Sequence, residues 1–339
     1  MTNTTRVVLA SRPHGEPKDS DFRFEDVALP EPTSGEVVLQ TLYLSLDPYM
    51  RGRMSAAKSY AAPVEIGDTM VGATVSRVLQ STVDDFSEGD IVLGYGGWQT
   101  HSVEKAKYLR KLDPETNPPS TALGVLGMPG FTAYSGLLTI GNPQPGETVV
   151  VAAAAGPVGS AVGQIAKLKG ARAVGIAGGP DKVKYLIDEL GFDAAVDHRA
   201  DDFAEQLAAA TPDGIDVYFE NVGGNVFDQV IRRMNLYGRI PVCGLVANYN
   251  LTSLPEGPDR TGQLMNAVLV KSLTIRGFIQ TEFAGEQMPR FLDEASGWVA
   301  DGSLKYREDI TEGLDNVLDA FRGLLAGRNF GKAVVKIAD

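Results

Sequence analysis

The segment from residue 148 to residue 169 constrains the fold of this chain more than any other. It begins with a continuously apolar run, 148–153, which is typical of a parallel strand buried on both faces. The glycine-rich sequence Ala154-x-Gly156-x-x-Gly159 comes next, and residues 158–169 have the period of an amphipathic helix. A strand, a tight glycine turn and a helix in this order predict the first unit of a doubly wound α/β sheet.

Strands and helices continue to alternate after this unit. Apolar runs predict five further strands over residues 171–177, 194–197, 215–220, 238–246 and 273–279, and helices are predicted over 181–190 and 202–209. Alternation of this kind is typical of βαβ units. We therefore expect a six-stranded parallel sheet of the Rossmann type.

The chain before residue 113 has a different pattern. Short β-type runs at 6–10, 36–44, 70–78 and 90–93 are separated by turns, and no long helical period interrupts them. This pattern predicts a partly open β-barrel that ends near residues 119–123. The last segment has β-type runs at 306–310 and 332–337 around a helix at 316–323, and we expect it to fold back onto the barrel. The predicted domains are 1–122 and 123–300, with 301–339 returning to the first.

Length, charge and cysteine content limit the classes of function. A chain of 339 residues suits two domains, whose cleft is an obvious ligand site. A net charge of −12 argues against nucleic acid as a partner, because phosphate neutralisation needs a basic surface. No apolar stretch approaches the roughly 20 residues that span a bilayer, so we expect no membrane association and a cytoplasmic location.

The sequence offers few metal ligands. Cys243 is the single cysteine, which excludes an intrachain disulfide and a four-cysteine zinc site. Within the predicted barrel, His14 and His101 are the only histidines. A zinc alcohol dehydrogenase normally uses three protein ligands that include cysteine, so we expect no metal.

The glycine turn favours a dinucleotide. Gly156 would let the backbone approach a pyrophosphate, and Gly159 would let helix and strand pack closely. The alternative is a tight turn without a ligand. A site for NAD normally has an acid about 20 residues further on, but Gly178 and Gly179 stand there and Lys182 follows. Room for a 2′-phosphate next to a lysine favours NADPH/NADP as the cofactor. Without the missing acid, Lys182 would be interpreted as an ordinary solvated lysine on a helix.

The sequence resembles the medium-chain dehydrogenase/reductase superfamily, and within it the zinc-free NADPH-dependent alkenal, curcumin and prostaglandin double-bond reductases. The motifs that carry the resemblance are Leu46-Asp47-Pro48-Tyr49-Met50-Arg51-Gly52-Arg53-Met54, Gly127-Met128-Pro129-Gly130, Ala155-Gly156-Pro157-Val158-Gly159, Tyr218-Phe219-Glu220-Asn221-Val222-Gly223-Gly224, Cys243-Gly244, Asn248-Tyr249-Asn250 and Asn329-Phe330-Gly331-Lys332. The resemblance implies a GroES-like barrel that carries substrate contacts, a Rossmann domain that binds NADPH, and a homodimer. It also implies reduction of a carbon–carbon double bond conjugated to a carbonyl.

The resemblance also assigns residues to the cofactor. Lys182 is implied to meet the 2′-phosphate, Asn221 and Gly223 to lie by the nicotinamide, and Asn329 to close over the cofactor. The other candidate cofactor contacts are Gly156, Pro157, Val158, Gly159, Gly178, Cys243, Tyr249, Phe278 and Gly331. One triplet departs from the family, which commonly has Asn-Tyr-Lys after the third strand where this chain has Asp197-His198-Arg199. His198 or Arg199 could serve the phosphate instead, or His198 could be a surface turn residue.

Two tyrosines are the candidate catalytic residues. Hydride addition to the β-carbon pushes electron density onto the carbonyl oxygen, and a phenol with an ordinary pKa of about 10 can donate a hydrogen bond to that oxygen. Tyr249 is the first candidate and Tyr49 the second; a ribose hydroxyl of the cofactor could share the role. Either tyrosine could instead be a packing aromatic. The proton for the α-carbon is expected from water.

Several residues are candidates for the substrate pocket. They are Tyr49, Met50, Arg51, Met128 and Tyr249, and Met54 and Phe278 could add adaptable apolar surface or be plain core. The expected function is NADPH-dependent reduction of α,β-unsaturated ketones and aldehydes. A quinone oxidoreductase of the same superfamily and a non-catalytic NADPH-binding protein are the alternatives.

Overall fold

The computed structural model describes residues 3–255 and 257–339. Contacts divide the chain into two compact units. Unit 1 contains the chain up to Gly124 together with Glu308–Asp339, and unit 2 is Val125–Arg307. The chain therefore crosses between the units twice.

Unit 1 is built around a mostly antiparallel sheet. Its strands are β1 (Asn3–Leu9), β2 (Phe22–Ala28), β3 (Glu36–Ser45), β4 (Thr74–Ser81), β5 (Ile91–Gly94), β6 (His101–Lys105), β7 (Arg110–Leu112), β14 (Glu308–Glu312) and β15 (Lys332–Lys336), and its helices are α1 (Tyr49–Arg53) and α9 (Val317–Leu325). The large sheet has the order β14-β15-β3-β4-β5-β7, and β6 also pairs with β3. β1 and β2 form a hairpin.

The C-terminal strands complete the sheet of unit 1. Val334 of β15 pairs with Ser45 of β3 in antiparallel register, and β14 lies parallel to β15. Helix α9 covers this part of the sheet and contributes Phe321 to the main core. Trp98 is fully buried there, edge-on to Phe321 at 5.3 Å between ring centroids.

Unit 2 is a parallel α/β sheet. Its strands are β8 (Thr148–Ala152), β9 (Arg172–Ala177), β10 (Ala194–Asp197), β11 (Ile215–Phe219), β12 (Met234–Val242) and β13 (Thr274–Gly277). Its helices are α2 (Met128–Ser135), α3 (Pro157–Leu168), α4 (Pro180–Asp188), α5 (Phe203–Ala210), α6 (Gly224–Arg233), α7 (Thr261–Lys271) and α8 (Thr281–Ala300). The strand order is β10-β9-β8-β11-β12-β13, and every pair is parallel. This arrangement confirms the predicted α/β fold with a six-stranded Rossmann sheet.

Two predicted strands are displaced by several residues: the strand predicted at 70–78 is β4 at Thr74–Ser81, and the strand predicted at 238–246 is β12 at Met234–Val242. β12 begins at Met234 rather than at residue 238, and its ladder with β11 shifts register between Ile215 and Val217. Tyr237 lies inside the strand with a φ of 62°, in the left-handed region. A residue in that conformation interrupts the regular alternation of side chains along a strand. The apolar pattern of the sequence therefore predicted a strand only from residue 238, after Tyr237.

Candidate functional site

The turn after β8 has the geometry of an anion site. The N–H of Gly156 donates to the carbonyl of Ala153 at 3.0 Å, and Pro157 then opens α3. Because the first N–H groups of a helix have no partner within it, those of Val158 and Gly159 are directed to the turn at the positive end of the helix dipole. A phosphate group is the natural ligand of such a helix start.

Gly159 is required by close backbone packing. A Cβ at this position would lie 2.4 Å from the carbonyl oxygen of Ala153 and 2.7 Å from the Cα of Ala154. Gly156, in contrast, faces open space, since a Cβ there would meet only the Ala153 oxygen, at 3.3 Å. The turn is therefore tight on the protein side and open on the other, which fits a pyrophosphate held by backbone amides.

Basic side chains gather where β9 ends. A Cβ on Gly178 would lie 2.8 Å from Nε of Arg199 and 2.9 Å from Nε2 of His198, so both side chains lie against this glycine. Lys182, on α4, is close enough for its charge to contribute to lowering the pKa of His198. Lys182, His198 and Arg199 therefore form a basic cluster around Gly178. His198 and Arg199 belong to the triplet that departs from the family pattern.

Asp197, the acidic residue in this region, already accepts hydrogen bonds from two backbone amides. Burial alone would raise the pKa of Asp197, but hydrogen bonds from the amides of Gly179 and Arg199, each 2.9 Å long, lower it overall. The pKa of His198 is lowered by partial burial of its ring and then by the charge of Arg199. His198 is therefore neutral at neutral pH, and Lys182 and Arg199 supply the positive charge.

The strand ends of β11 and β12 form the other half of the same edge. The side-chain amide of Asn221 donates to the carbonyl of Ala152 at 2.8 Å, which ties β11 to the end of β8. Gly223 precedes α6 with a φ of 78°. Cys243 follows β12, and burial, with Glu220 nearby, raises the pKa of its thiol to about 12, so the thiol is protonated at neutral pH.

Tyr249 is presented by a short 3-10 helix, Val246–Asn248. Its side chain is half-buried, and its hydroxyl lies 3.2 Å from the position that a Cβ on Gly244 would take. All of these groups follow the carboxyl ends of parallel strands: the glycine turn, the basic cluster, Asn221, Gly223 and Tyr249. In open α/β sheets, ligands bind at this edge.

Two further candidates in unit 2 have packing roles. Phe278 is buried, and its ring lies edge-on to Phe219 with 6.1 Å between centroids. Met128 opens α2 and is half-buried, and its carbonyl accepts the hydroxyl of Thr132 at 2.8 Å. Contact of either residue with a ligand stays a prediction.

The candidates in unit 1 surround α1. Tyr49 begins this helix, half-buried, with the guanidinium of Arg53 5.8 Å from its ring centroid. Burial, with Asp47 nearby, raises the pKa of Tyr49 well above its ordinary value, so this phenol keeps its proton. Met50 has no exposed surface and belongs to the core. Arg51 donates to the carbonyl of Gly15 at 2.8 Å, a contact that holds the N-terminal loop.

The loop before β15 carries the last two candidates. The side-chain amide of Asn329 donates to the carbonyl of Gly331 at 2.8 Å, and Gly331 has a φ of 92°. The amide of Phe330 donates to Asp309 at 2.8 Å. These bonds hold the loop in a defined conformation, and its closure over a cofactor stays a prediction.

Across residues 3–255 and 257–339, no three His, Cys, Asp or Glu side chains come together in a way that could hold a metal ion. In the same part of the chain, no helix combines the length and apolar character needed to cross a membrane.

Comparison with known proteins decides the family. A family model described as the N-terminal domain of oxidoreductase matches residues 5–112, and one described as zinc-binding dehydrogenase matches residues 157–297. The chain is 56% identical over 333 residues to the NADPH-dependent curcumin reductase of Escherichia coli, covering 98% of this chain and 96% of that protein. The chain belongs to the medium-chain dehydrogenase/reductase superfamily. Within the superfamily it lies in the zinc-free branch of curcumin and prostaglandin reductases, which confirms the resemblance.

Other members of this branch agree in sequence and in fold. Prostaglandin reductase 1 of the rabbit, Oryctolagus cuniculus, is 45% identical over 338 residues, covering 98% of this chain and 93% of that protein. A crystal structure of CurA from Vibrio vulnificus in complex with NADPH matches with a TM-score of 0.95 at 52% identity, covering 99% of each chain. A quinone oxidoreductase of Pseudomonas syringae matches with a TM-score of 0.75 at 22% identity, a similarity that shows the shared superfamily fold alone.

Proposed function

We propose that this protein reduces carbon–carbon double bonds conjugated to a carbonyl group, with NADPH as the reductant. The observation that carries the proposal is the cluster of Lys182, His198 and Arg199 around Gly178, at the strand end where an NAD-specific site has an acid. Relatives named for NADPH-dependent curcumin reduction and prostaglandin reduction, aligned over nearly the whole chain, support the choice of reaction.

Different residues of unit 2 fit different parts of the cofactor. The amides of Val158 and Gly159 would hold the pyrophosphate, and Lys182 and Arg199 would pair with the 2′-phosphate. Asn221, Gly223 and Cys243 would lie by the nicotinamide. When bound, NADPH supplies the hydride for the β-carbon of the substrate.

The role of the protein is to stabilise the charge that develops on the carbonyl oxygen. In the proposed mechanism the hydroxyl of Tyr249 donates a hydrogen bond to this oxygen, and the bond strengthens as the enolate forms. Tyr49 is the second candidate for this donor, since its raised pKa keeps it protonated over the whole working range of pH. Water then protonates the α-carbon, and the saturated ketone or aldehyde leaves.

Turnover of defined substrates tests the proposal. Oxidation of NADPH would be followed spectroscopically with an aliphatic enone, an enal, an aryl-substituted dienone and a quinone. We expect turnover with the first three. Turnover of the quinone alone would make the protein a quinone oxidoreductase, and tight NADPH binding without any turnover would make it a non-catalytic binding protein.

We also propose that the protein is a homodimer formed through β13. This strand pairs only with β12 in the described sheet, and its four residues are all exposed. The neighbouring helix α7 has no buried residue over its 11 positions, and it carries Met265, Leu269 and Val270 on its surface. An unpaired strand edge beside an exposed apolar helix is the kind of surface that a second copy covers by isologous pairing.

The substrate is a small molecule in this proposal, and a cytoplasmic location remains part of it. Fractionation of cells that express the protein would test the location, and recovery in the membrane fraction would contradict it.

A further inference from the structure

A single carboxyl group lies buried beneath the edge that carries Asn221, Gly223 and Tyr249. Glu220 directly follows β11 and has no exposed surface. It stands out in the sequence as a charged residue at the end of an apolar run. Carboxylates are rarely buried unless they are paired or hydrogen-bonded, so its bonds indicate what it does.

The side chain of Glu220 holds the turn that follows it. Its Oε1 atom accepts hydrogen bonds from the amides of Val222, at 2.5 Å, and Gly223, at 2.9 Å. Two amides that converge on one carboxylate oxygen fix the turn that starts α6. This is the turn on which Gly223 is proposed to meet the nicotinamide.

The main chain of Glu220 holds a second segment. Its carbonyl oxygen accepts the amides of Cys243 and Gly244, at 2.9 and 3.2 Å. Its own amide donates to the carbonyl of Pro241 at 3.0 Å. Glu220 therefore links the ends of β11 and β12, and Gly244 is the residue over which the hydroxyl of Tyr249 lies.

The two turns together support the short helix before Tyr249. The carbonyl of Asn221 accepts the amide of Val246 at 3.2 Å, and that of Val222 accepts the amide of Ala247 at 3.0 Å. The carbonyl of Val246 in turn accepts the amide of Tyr249 at 3.2 Å. A continuous series of hydrogen bonds thus leads from the Glu220 carboxyl to the backbone of Tyr249.

The energetic cost of Glu220 supports a role beyond packing. Its Oε2 atom and the hydroxyl of Tyr218 are both buried, and the Tyr218 hydroxyl helps to lower the pKa of the Glu220 carboxyl against the effect of burial. Burial raises the pKa of the Glu220 carboxyl, and the bonds from Val222 and Gly223 oppose this rise. Burial of a carboxyl group costs free energy that hydrogen bonds must offset, and here the bonds that do so are the ones that hold the turn before α6.

We propose that Glu220 is a positioning residue for Tyr249: by accepting the amides of Val222 and Gly223, its carboxyl fixes the turn whose carbonyls hold the short helix before Tyr249. The Tyr249 hydroxyl is thereby kept over Gly244. The inference rests on the proposed function, because it assumes that Tyr249 acts on the substrate carbonyl.

Two variants of Glu220 separate positioning from other effects. Glu220→Met keeps the length of the side chain and removes both acceptors, and we expect it to lower kcat for an enone by about tenfold. Glu220→Gln keeps an acceptor oxygen and should remain within about twofold of the wild type. The dissociation constant of NADPH should change by much less than kcat in both, because the glycine turn and the basic cluster, which would hold the phosphates, lie elsewhere on the edge and only the contact of Gly223 with the nicotinamide is affected.

A double-mutant cycle with Tyr249→Phe provides the decisive result. If Glu220 acts through the Tyr249 hydroxyl, Glu220→Met will lower kcat no further once that hydroxyl is absent. Additive losses would overturn the positioning role and leave the proposed function intact. An unchanged kcat in Tyr249→Phe alone would overturn both the role of Tyr249 and this inference.

Controls for stability come from the same unit. Thr211→Val removes a buried hydroxyl that donates to the carbonyl of Leu207 and lies outside the proposed site. It should lower the thermal midpoint while leaving kcat unchanged. Val246→Pro removes the backbone N–H that donates to the carbonyl of Asn221. It should reproduce the kcat loss even where Glu220→Met folds poorly. Unchanged kcat in a folded Val246→Pro protein would contradict the proposed series of bonds.

Discussion

The ammonium group of Lys332 lies 3.1 Å from Oδ1 of Asp47, although 285 positions separate the two residues. Both side chains are buried. Lys332 also donates to the carbonyls of Leu46 and Ala333, at 2.5 and 3.0 Å, and Asp47 accepts the hydroxyl of Ser45. A buried ion pair therefore joins β15 to the segment that leads directly into α1 and Tyr49.

Removal of one partner of this pair should destabilise unit 1. Lys332→Met leaves the Asp47 carboxylate buried without its counter-charge, and losses of about 3–5 kcal/mol are typical for such a change. Urea unfolding would measure the loss. Trp298→Phe as a common background leaves Trp98, in the core of unit 1, as the single tryptophan and therefore as a fluorescent probe of that unit.

Lys336→Met is the matched control on the same strand. Lys336 pairs with Asp339 in an exposed ion pair, and such pairs contribute little to stability. We expect its unfolding curve to overlay that of the parent protein. Equal losses for Lys332→Met and Lys336→Met would contradict the account of the buried pair.

The preference for NADPH should depend on Lys182. Lys182→Ala should weaken NADPH binding by about tenfold to a hundredfold, because hydrogen bonds to charged groups contribute about 1.5–3 kcal/mol. NADH lacks the 2′-phosphate, so its dissociation constant should stay nearly the same. Fluorescence titration measures both, and Lys184→Ala on the exposed face of α4 is the control. Equal weakening for the two cofactors would show that Lys182 does not meet the phosphate.

Arg199 and His198 should differ in their dependence on pH. Arginine is charged throughout, so Arg199→Ala should weaken NADPH binding at every pH. The pKa of His198 is lowered, so its imidazole is neutral at pH 8 and gains charge only as the pH falls below the ordinary histidine value of about 6.5. The ratio of NADPH dissociation constants for His198→Ala and wild type should therefore be near one at pH 8 and rise in acid. A ratio that is large at pH 8 and falls in acid would contradict this assignment.

The proposed dimer depends on the apolar face beside β13. Leu269 is 78% exposed on α7, and a charge there would be buried in the interface. Leu269→Glu should shift the protein from dimer to monomer in sedimentation velocity at micromolar concentration. Leu168→Glu, on an exposed position of α3 in the same unit, should remain dimeric. Monomeric wild-type protein, or dissociation by both variants, would exclude the β13 interface.

The Rossmann sheet and its cofactor turn could be predicted because their signals are local. The run before Gly156 is apolar on both faces, and the turn and helix follow directly. The preference for NADPH had a local signal as well, because no acid stands at Gly178 and Gly179 and Lys182 follows. The roles of Asn221, Gly223 and Asn329 came from the resemblance alone.

Other elements escaped prediction for physical reasons. Seven of the eight residues of α2 are buried, so the helix has no polar stripe to reveal its period. α8 contains Pro289, and a proline inside a segment argues against a helix when only the sequence is considered. The role proposed for Glu220 depends on hydrogen bonds between the ends of two strands, and these contacts have no counterpart in sequence spacing.

The fate of the transferred hydride tests the central claim most directly. The protein would be incubated with an enone and with NADPH that carries deuterium at the transferring carbon of the nicotinamide, and the product analysed by NMR. We expect a saturated ketone with deuterium on the former β-carbon and the carbonyl intact. Deuterium on the carbonyl carbon of an allylic alcohol would contradict conjugate reduction and make the protein a carbonyl reductase.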